Sequence, residues 1–141
     1  MIAILPLEIF PIEDDGYHIK LTIEVNGKSA SMILDTGASR SVFDETRISK
    51  FIGEDNLENH DRLSSGLGTN NMTSKKVKLN KLQIGKIKIE NYQATILDLK
   101  HVNQSYQKLA LEPVDGILGG DILNDYKAVI DYGRKELKLV L

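Results

Sequence analysis

A mainly-β fold is predicted for this chain of 141 residues, and three patterns predict it. The first is a strict alternation at 17–25 that runs into Asn26-Gly27 and returns as a second apolar stretch. The second is a renewed alternation across 77–89, broken only by Gly85-Lys86. The third is a closing pair of short strand patterns, Ala128 to Tyr132 and Leu137 to Leu141, joined at Gly133-Arg134. Period two means a strand with one face in a core, whereas helical spacing occurs here only in brief pieces.

The elements follow in order. Residues 1–16 form an apolar N-terminal extension, constrained by Pro6 and Pro11. In Tyr17 to Val25, Ile19, Leu21, Ile23 and Val25 share one face, while His18, Lys20, Thr22 and Glu24 share the other. Asn26-Gly27 is the strongest short hairpin signal, since a type I′ turn needs two positive φ values. The returning strand turns continuously apolar at Met32-Ile33-Leu34 and delivers Asp35. A carboxylate at the end of a buried strand is expensive unless it is hydrogen-bonded or used. Asp44 is placed to cap a short helix carrying Ile48, Phe51 and Ile52. Residues 53–74 are polar and rich in Gly, Ser and Asn, and read as a long loop or hairpin tip. Val77 to Ile89 and Tyr92 to Leu97 read as strands. Val102, Tyr106 and Leu109 have helical spacing, closed by Pro113, and a short helix starts near Asp121. No linker or low-complexity segment divides the chain, so 1–141 reads as a single domain, with 128–141 as a C-terminal hairpin.

Composition narrows the function classes. A net charge of -2 gives no electrostatic ground for a nucleic-acid or anionic-membrane partner. The run Lys75-Lys76-Val77-Lys78 reads as a solvated strand edge. The chain has no cysteine, which excludes a disulfide, a thiolate metal site and a cysteine nucleophile. That composition favours a reducing compartment such as the cytoplasm, and the apolar start lacks the basic region of a signal peptide. His18, His60 and His101 show no zinc spacing, so no metal and no cofactor is expected. His18 and His60 read as solvated, and Tyr106, Tyr126 and Tyr132 as packed. No Gly-x-Ser-x-Gly elbow occurs, and Gly116 to Gly120 has the wrong spacing for a dinucleotide loop.

The informative stretch is Met32-Ile33-Leu34-Asp35-Thr36-Gly37-Ala38-Ser39. An apolar strand precedes the Asp35-Thr36-Gly37 triplet and small residues follow it. Downstream come Gly66-Leu67-Gly68 and then Ile117-Leu118-Gly119-Gly120. The order of these motifs resembles that of the retropepsin-like aspartic peptidases. The chemistry this implies, amide hydrolysis without metal or covalent intermediate, needs a base to activate water and an acid to protonate the carbonyl oxygen. Two adjacent carboxylates sharing one proton supply both. Only one Asp-Thr-Gly occurs, because Asp115-Gly116 lacks the hydroxyl residue. A working pair therefore needs Asp35 from each of two copies across a two-fold axis.

This ordered set resembles the retropepsin-like aspartic peptidases over roughly residues 17–132. The resemblance implies an acid-protease-like closed β-barrel with one or two short helices, equivalent to half of a pepsin-type bilobal enzyme. It implies an aspartic endopeptidase acting as a homodimer on a polypeptide substrate, with Asp35 catalytic. Thr36 would hydrogen-bond across the dimer, Gly37 would admit backbone and substrate, and Ala38 and Ser39 would line the cleft floor. Gly66, Leu67 and Gly68 would form the flap, and Ile117, Leu118, Gly119 and Gly120 would support the site. Two departures stand out. The slots after Ala38 hold Ser39 and Arg40 where retroviral enzymes carry acids, and Gly120-Asp121 stands where they carry an arginine. Either Arg40 faces Asp121 in a charge-swapped pair, or Arg40 is solvated and Asp121 caps the next helix. The terminal strands also differ: Glu136 to Leu141 can interleave across a dimer, whereas the N-terminal stretch is longer than expected. Two other readings stay open, a non-catalytic peptide-binding dimer on this fold and an unrelated barrel with Asp35 in a turn.

Overall fold

Asn26 and Gly27 turn as their residue types require, with φ of 50° and 83°. The turn joins strands Tyr17–Val25 and Lys28–Leu34 in antiparallel register from Val25↔Lys28 to Lys20↔Ile33. The Asn26 side chain then fastens the turn to the rest of the molecule. Its Oδ1 accepts from Lys81 N at 3.1 Å, and its Nδ2 donates to Phe51 O at 3.2 Å.

The computed structural model describes residues 1–13, 16–53, 58–63 and 73–141. In chain order its elements are β1 (Ile2–Pro6), β2 (Glu8–Pro11), β3 (Tyr17–Val25), β4 (Lys28–Leu34), β5 (Val42–Asp44) and α1 (Ser49–Ile52). Then come β6 (Glu58–Leu63), β7 (Thr73–Ile84), β8 (Ile87–Leu97), α2 (Lys100–Lys108), β9 (Gly116–Leu118), α3 (Gly120–Asp125), β10 (Val129–Asp131) and β11 (Glu136–Val140). Strands β3, β4, β9, β5, β8 and β7 are neighbours in that order. The pairs Glu24↔Gln83 and Val25↔Leu82 bring β7 back onto β3 and close the barrel. Closure pairs these six strands with one another, while β2 and β6 stay at the ends of the sheet.

The barrel explains the apolar run before Asp35. Strand β4 is parallel to β9, from Met32↔Gly116 to Leu34↔Leu118. Met32 and Leu34 face the main core, while Ile33 faces a second cluster with Phe10, Tyr106 and Val114 beneath α2. A strand covered on both faces needs apolar residues at every position. Asn103 holds α2 in place, its Nδ2 donating to Val114 O at 3.1 Å and its Oδ1 accepting from Val114 N at 2.8 Å. Gly116 has no room for a side chain: a Cβ there would stand 2.4 Å from Val42 O.

Several expectations change. The N-terminal segment is built into the fold: β1 pairs with β11 and β2 with β3, and Ala3, Leu5, Leu7 and Phe10 are buried. Pro6 and Pro11 each end a strand, where a missing N–H does least harm. The terminal strands therefore pair within one chain, in a sheet ordered β1-β11-β10, and β11 is not free to interleave with a partner's strands. Residues 53–74 contain β6 and the start of β7, paired from Glu58↔Lys76 to Leu63↔Thr73 with a register shift between Asn59 and Arg62. The polar composition of 58–63 hid this strand, which lies at the edge of its sheet. The helices are few and short, as expected, and α1 is only four residues long. Tyr126 packs on the core as expected, but Tyr132 is exposed. His18 is also not merely solvated. It sits edge-on to Phe10, and its Nδ1 lies 2.8 Å from Tyr106 Oη. Burial pushes the Tyr106 phenol up to about 12.

Candidate active site

Asp35 leaves β4 one residue past buried Leu34, and its N–H donates to Leu118 O at 3.0 Å. The chain then turns, with Ala38 N donating to Asp35 O at 3.2 Å. Within that turn Gly37 N donates to Asp35 Oδ1 at 2.9 Å, and this is the one hydrogen bond to the carboxylate among the described residues. A Cβ at Gly37 would stand 3.2 Å from the same oxygen, so glycine keeps the approach open. Asp35, Thr36, Gly37 and Ser39 are exposed and Ala38 is half-buried. A buried strand thus presents a carboxylate to solvent on a loop fixed from beneath.

The support comes from Gly119 and Gly120. Gly120 N donates to Ala38 O at 2.7 Å. A Cβ at Gly119 would meet Ala38 O at 2.7 Å and the Arg40 backbone at 2.8 Å. Both contacts are with main chain, so no rotamer change relieves them, and only glycine fits. Ile117 and Leu118 lie in β9 directly beside Ile33 and Leu34. The sequence-expected cluster of Asp35 to Ser39 with Ile117 to Gly120 is therefore one spatial unit. Gly66, Leu67 and Gly68, the expected flap, lie outside the described residues.

Of the two readings of Arg40 and Asp121, the charge-swapped pair does not form, and a serine holds Asp121 instead. Asp121 Oδ1 accepts from Ser41 N at 2.9 Å, Ser41 Oγ at 2.7 Å and Ile122 N at 2.8 Å. Ser41 Oγ in turn accepts from Gly119 N at 2.8 Å. Ser41 is buried, and it is the residue that ties the far side of the loop to the start of α3. Asp121 lies in the first turn of α3 and accepts from Ile122 N, but the N-cap of that helix is Gly119 and no side chain caps it, so Asp121 is not the cap that the second reading expected. Arg40 is exposed and makes no ion pair among the described residues. Its charge is felt instead at Tyr92, whose phenol is pushed up to about 12, chiefly by burial and then by Asp121, with Arg40 acting in the opposite sense. Reading in sequence missed Ser41 because nothing local marks its partner 80 residues away. The one available signal was a small polar residue immediately before apolar Val42-Phe43.

A second carboxylate, Asp115, marks the other end of the β4–β9 pair. It is 3% exposed. Its Oδ2 accepts from Ser31 N at 2.8 Å, and its Oδ1 meets Arg47 Nε at 2.8 Å and Lys50 Nζ at 2.5 Å. Burial alone would raise this carboxyl, but the bonds from Lys50, Ser31 and Arg47 outweigh it and hold the group below its ordinary value of 3.8. Among the described residues no group of three or more His, Cys, Asp or Glu is placed to hold a metal ion. None of the described helices is long and apolar enough to cross a membrane.

A closed six-stranded barrel that presents an Asp-Thr-Gly loop beside an apolar-apolar-Gly strand defines an acid-protease fold of the retropepsin-like type. The chain belongs to the aspartyl protease family, whose model matches residues 21–122. Solved structures with this fold include a retropepsin-like aspartic protease from Rickettsia conorii, 21% identical with a TM-score of 0.59, covering 99% of this chain and 89% of that one. The retroviral protease-like domain of Ddi1 from Leishmania major is 14% identical with a TM-score of 0.57, covering 85% and 86%. The EIAV protease, complexed with the inhibitor HBY-793, is 21% identical with a TM-score of 0.53, covering 75% and 85%. No curated protein matches the sequence.

Proposed function

We propose that two copies of this chain form an aspartic endopeptidase, with Asp35 from each copy making one catalytic pair. The observation that carries this reading is the exposed Asp35 carboxylate, held among the described residues by Gly37 N alone on a loop anchored to β9. One carboxylate cannot act as base and acid at once. Two of them across a two-fold axis can share a proton, so that one takes a proton from water while the other gives one to the carbonyl oxygen. The Thr36 side chain is exposed, with no hydrogen-bond partner among the described residues, and it is available to the second copy.

The terminal sheet supports the same assembly. Ile2, Ile4 and Val129 share its outward face, since Ile4 and Val129 both lie opposite Lys138. With Met1, Tyr132 and Leu141, which lie at the ends of that sheet, they make up six of the seven exposed large apolar residues among the described ones. Helix α3 links that sheet to the site: its start donates to Ala38 O, and Tyr126 O at its end accepts from Val140 N at 2.6 Å. Six helical residues span about 9 Å, so one two-fold axis can pass both features. Because β1 and β11 pair in their own chain, the copies would meet face to face. The substrate would lie as an extended strand, with pockets for alternate side chains and no cofactor required.

The test is cleavage of a peptide library by wild type and Asp35→Asn, with oligomeric mass measured for both. Wild type should cleave, be blocked by a pepstatin-like inhibitor and run as a dimer; Asp35→Asn should stay dimeric and inactive. Cleavage by Asp35→Asn at the wild-type rate would overturn the proposal. Peptide binding without any cleavage would favour a non-catalytic scaffold.

A further inference from the structure

We infer that the cleft between α2 and the turn after β5 binds a small organic oxyanion, a carboxylate or phosphate group on an apolar body, through Arg47 and Lys100. The cleft has a volume of about 500 Å³, within the size range of small-molecule sites. Leu111 and Pro113 supply an apolar wall, Gln104 and Gln107 add carboxamides, and Arg47 and Lys100 are the cations. It lies apart from the proposed catalytic pair. Arg47 is bonded to Asp115, which sits level with Ser31. Four extended residues put about 13 Å between Ser31 and Asp35.

The fold fixes one side of Arg47 and leaves the other open. Its backbone N donates to Asp44 Oδ2 at 3.2 Å and its Nε to Asp115 Oδ1 at 2.8 Å. The two Nη groups have no hydrogen-bond partner among the described residues. No buried side-chain nitrogen or oxygen there is left unpaired, so both Nη groups are open to solvent. That pair of donors is the fork that a carboxylate or phosphate takes in a bidentate contact, and it is oriented before any ligand arrives. Holding Asp115 does not require the fork. Nε makes that bond, and Lys50 Nζ reaches the same Asp115 oxygen at 2.5 Å. One carboxylate thus faces two cations, and the cluster of three keeps a positive charge.

Asp44 is the acidic group in the cleft wall. It is buried, and its two oxygens accept Leu99 N and Arg47 N. Lys100 offsets its charge, so an entering oxyanion meets the Arg47 fork and not an open carboxylate. Arg47 also borders a neighbouring cleft, but Glu8, Glu112 and Asp115 line that one and repel an anion. The α2 side is therefore where the anion settles.

The experiment titrates the whole chain at neutral pH with 3-phenylpropionate, phenyl phosphate, inorganic phosphate and neutral 3-phenylpropanol, following backbone amide shifts by NMR. At least one aromatic anion should bind with a Kd of about 1 mM or tighter. It should exceed both inorganic phosphate and the alcohol by about 5-fold or more, with shifts at 44–47 and 100–111. The tighter of the two anions identifies the headgroup as carboxylate or phosphate ester, and its affinity should fall with added salt. Arg47→Lys keeps a cation beside Asp115 but has no fork, so it should stay folded while affinity falls about 5–10-fold. Lys100→Glu changes an exposed residue outside the ion pairs of the described residues. It should lose about as much, which keeps the site testable if Arg47→Lys unfolds. Equal binding of the alcohol, shifts confined to the Asp35 loop, unchanged affinity in either folded variant, or no saturable binding of either anion would each overturn the inference.

Discussion

Two aspartates sit at opposite ends of the same pair of parallel strands, and they are used in opposite ways. Asp115 enters β9, is buried, and meets Ser31 N, Arg47 and Lys50. Asp35 leaves β4, is exposed, and accepts one bond from Gly37 N. Asp35 follows an apolar run and Asp115 precedes one, and both are followed closely by glycine. What separates them is how many donors the fold supplies. A carboxylate whose lone pairs are filled from within serves the fold, and one left open can act on a water or a substrate.

The largest effect expected from this contrast is catalytic. Asp35→Asn should lower kcat/KM by at least about 10³-fold, the range typical of losing a positioned acid or base. Its melting temperature should stay within about 1 °C of wild type, because an exposed carboxylate with one local bond contributes little to stability. Thermal melts beside peptide assays check both halves. A large loss of stability in Asp35→Asn would mean that the two aspartates are not so different.

Asp115→Ala should do the reverse. It strands Ser31 N and leaves two cations without their shared carboxylate, which predicts a loss of roughly 3 kcal/mol by denaturant unfolding. Arg47 and Lys50 keep partial access to water, and this limits the damage. The pH dependence carries the sign. The Asp115 carboxyl is held below its ordinary value of 3.8, so its contribution is complete above that value and disappears as pH falls through the folded one. Wild-type stability should therefore drop on acidification below about pH 4 more steeply than that of Asp115→Asn. Equal slopes would show that the cluster is not the group being titrated.

The same contrast shows how much was legible beforehand. The β3–β4 hairpin could be read because its turn residues and alternation are local, and Asn26-Gly27 adopts the expected positive φ at both positions. The Asp35 loop and the Ile117 to Gly120 strand could be read because their residue types are unusual in that order. Partners could not be read. Asp115 finds Ser31 across 84 residues and Ser41 finds Asp121 across 80, and no periodicity announces either meeting. Pairing of β1 with β11 was hidden for the same reason, and β6 because an edge strand tolerates polar residues.

Gly119→Ala tests whether the active loop is held as rigidly as the buried end. The added methyl would meet main-chain atoms of Ala38 and Arg40 under 3 Å away. Relief requires moving the loop, so a loss of roughly 1–3 kcal/mol is expected, together with a fall in kcat that exceeds any change in KM. Unchanged kcat in a destabilised variant would separate loop position from catalysis.

The smallest effect should come from the charge-swapped pair, one of the two readings that the sequence left open. If Arg40 and Asp121 were coupled, truncating both would do less harm than the sum of the single changes. The geometry gives that coupling to Ser41, whose hydroxyl links Asp121 to Gly119 N. A double-mutant cycle on Arg40→Ala and Asp121→Asn should therefore return a stability coupling within about 0.3 kcal/mol of zero, and Arg40→Ala alone a change within about 0.5. The parallel cycle on Ser41→Ala and Asp121→Asn should return about 1 kcal/mol or more, since those two side chains share one network. Reversal of the two results would place the guanidinium in the loop's scaffold, and Arg40 would then join Asp115 among the groups that serve the fold.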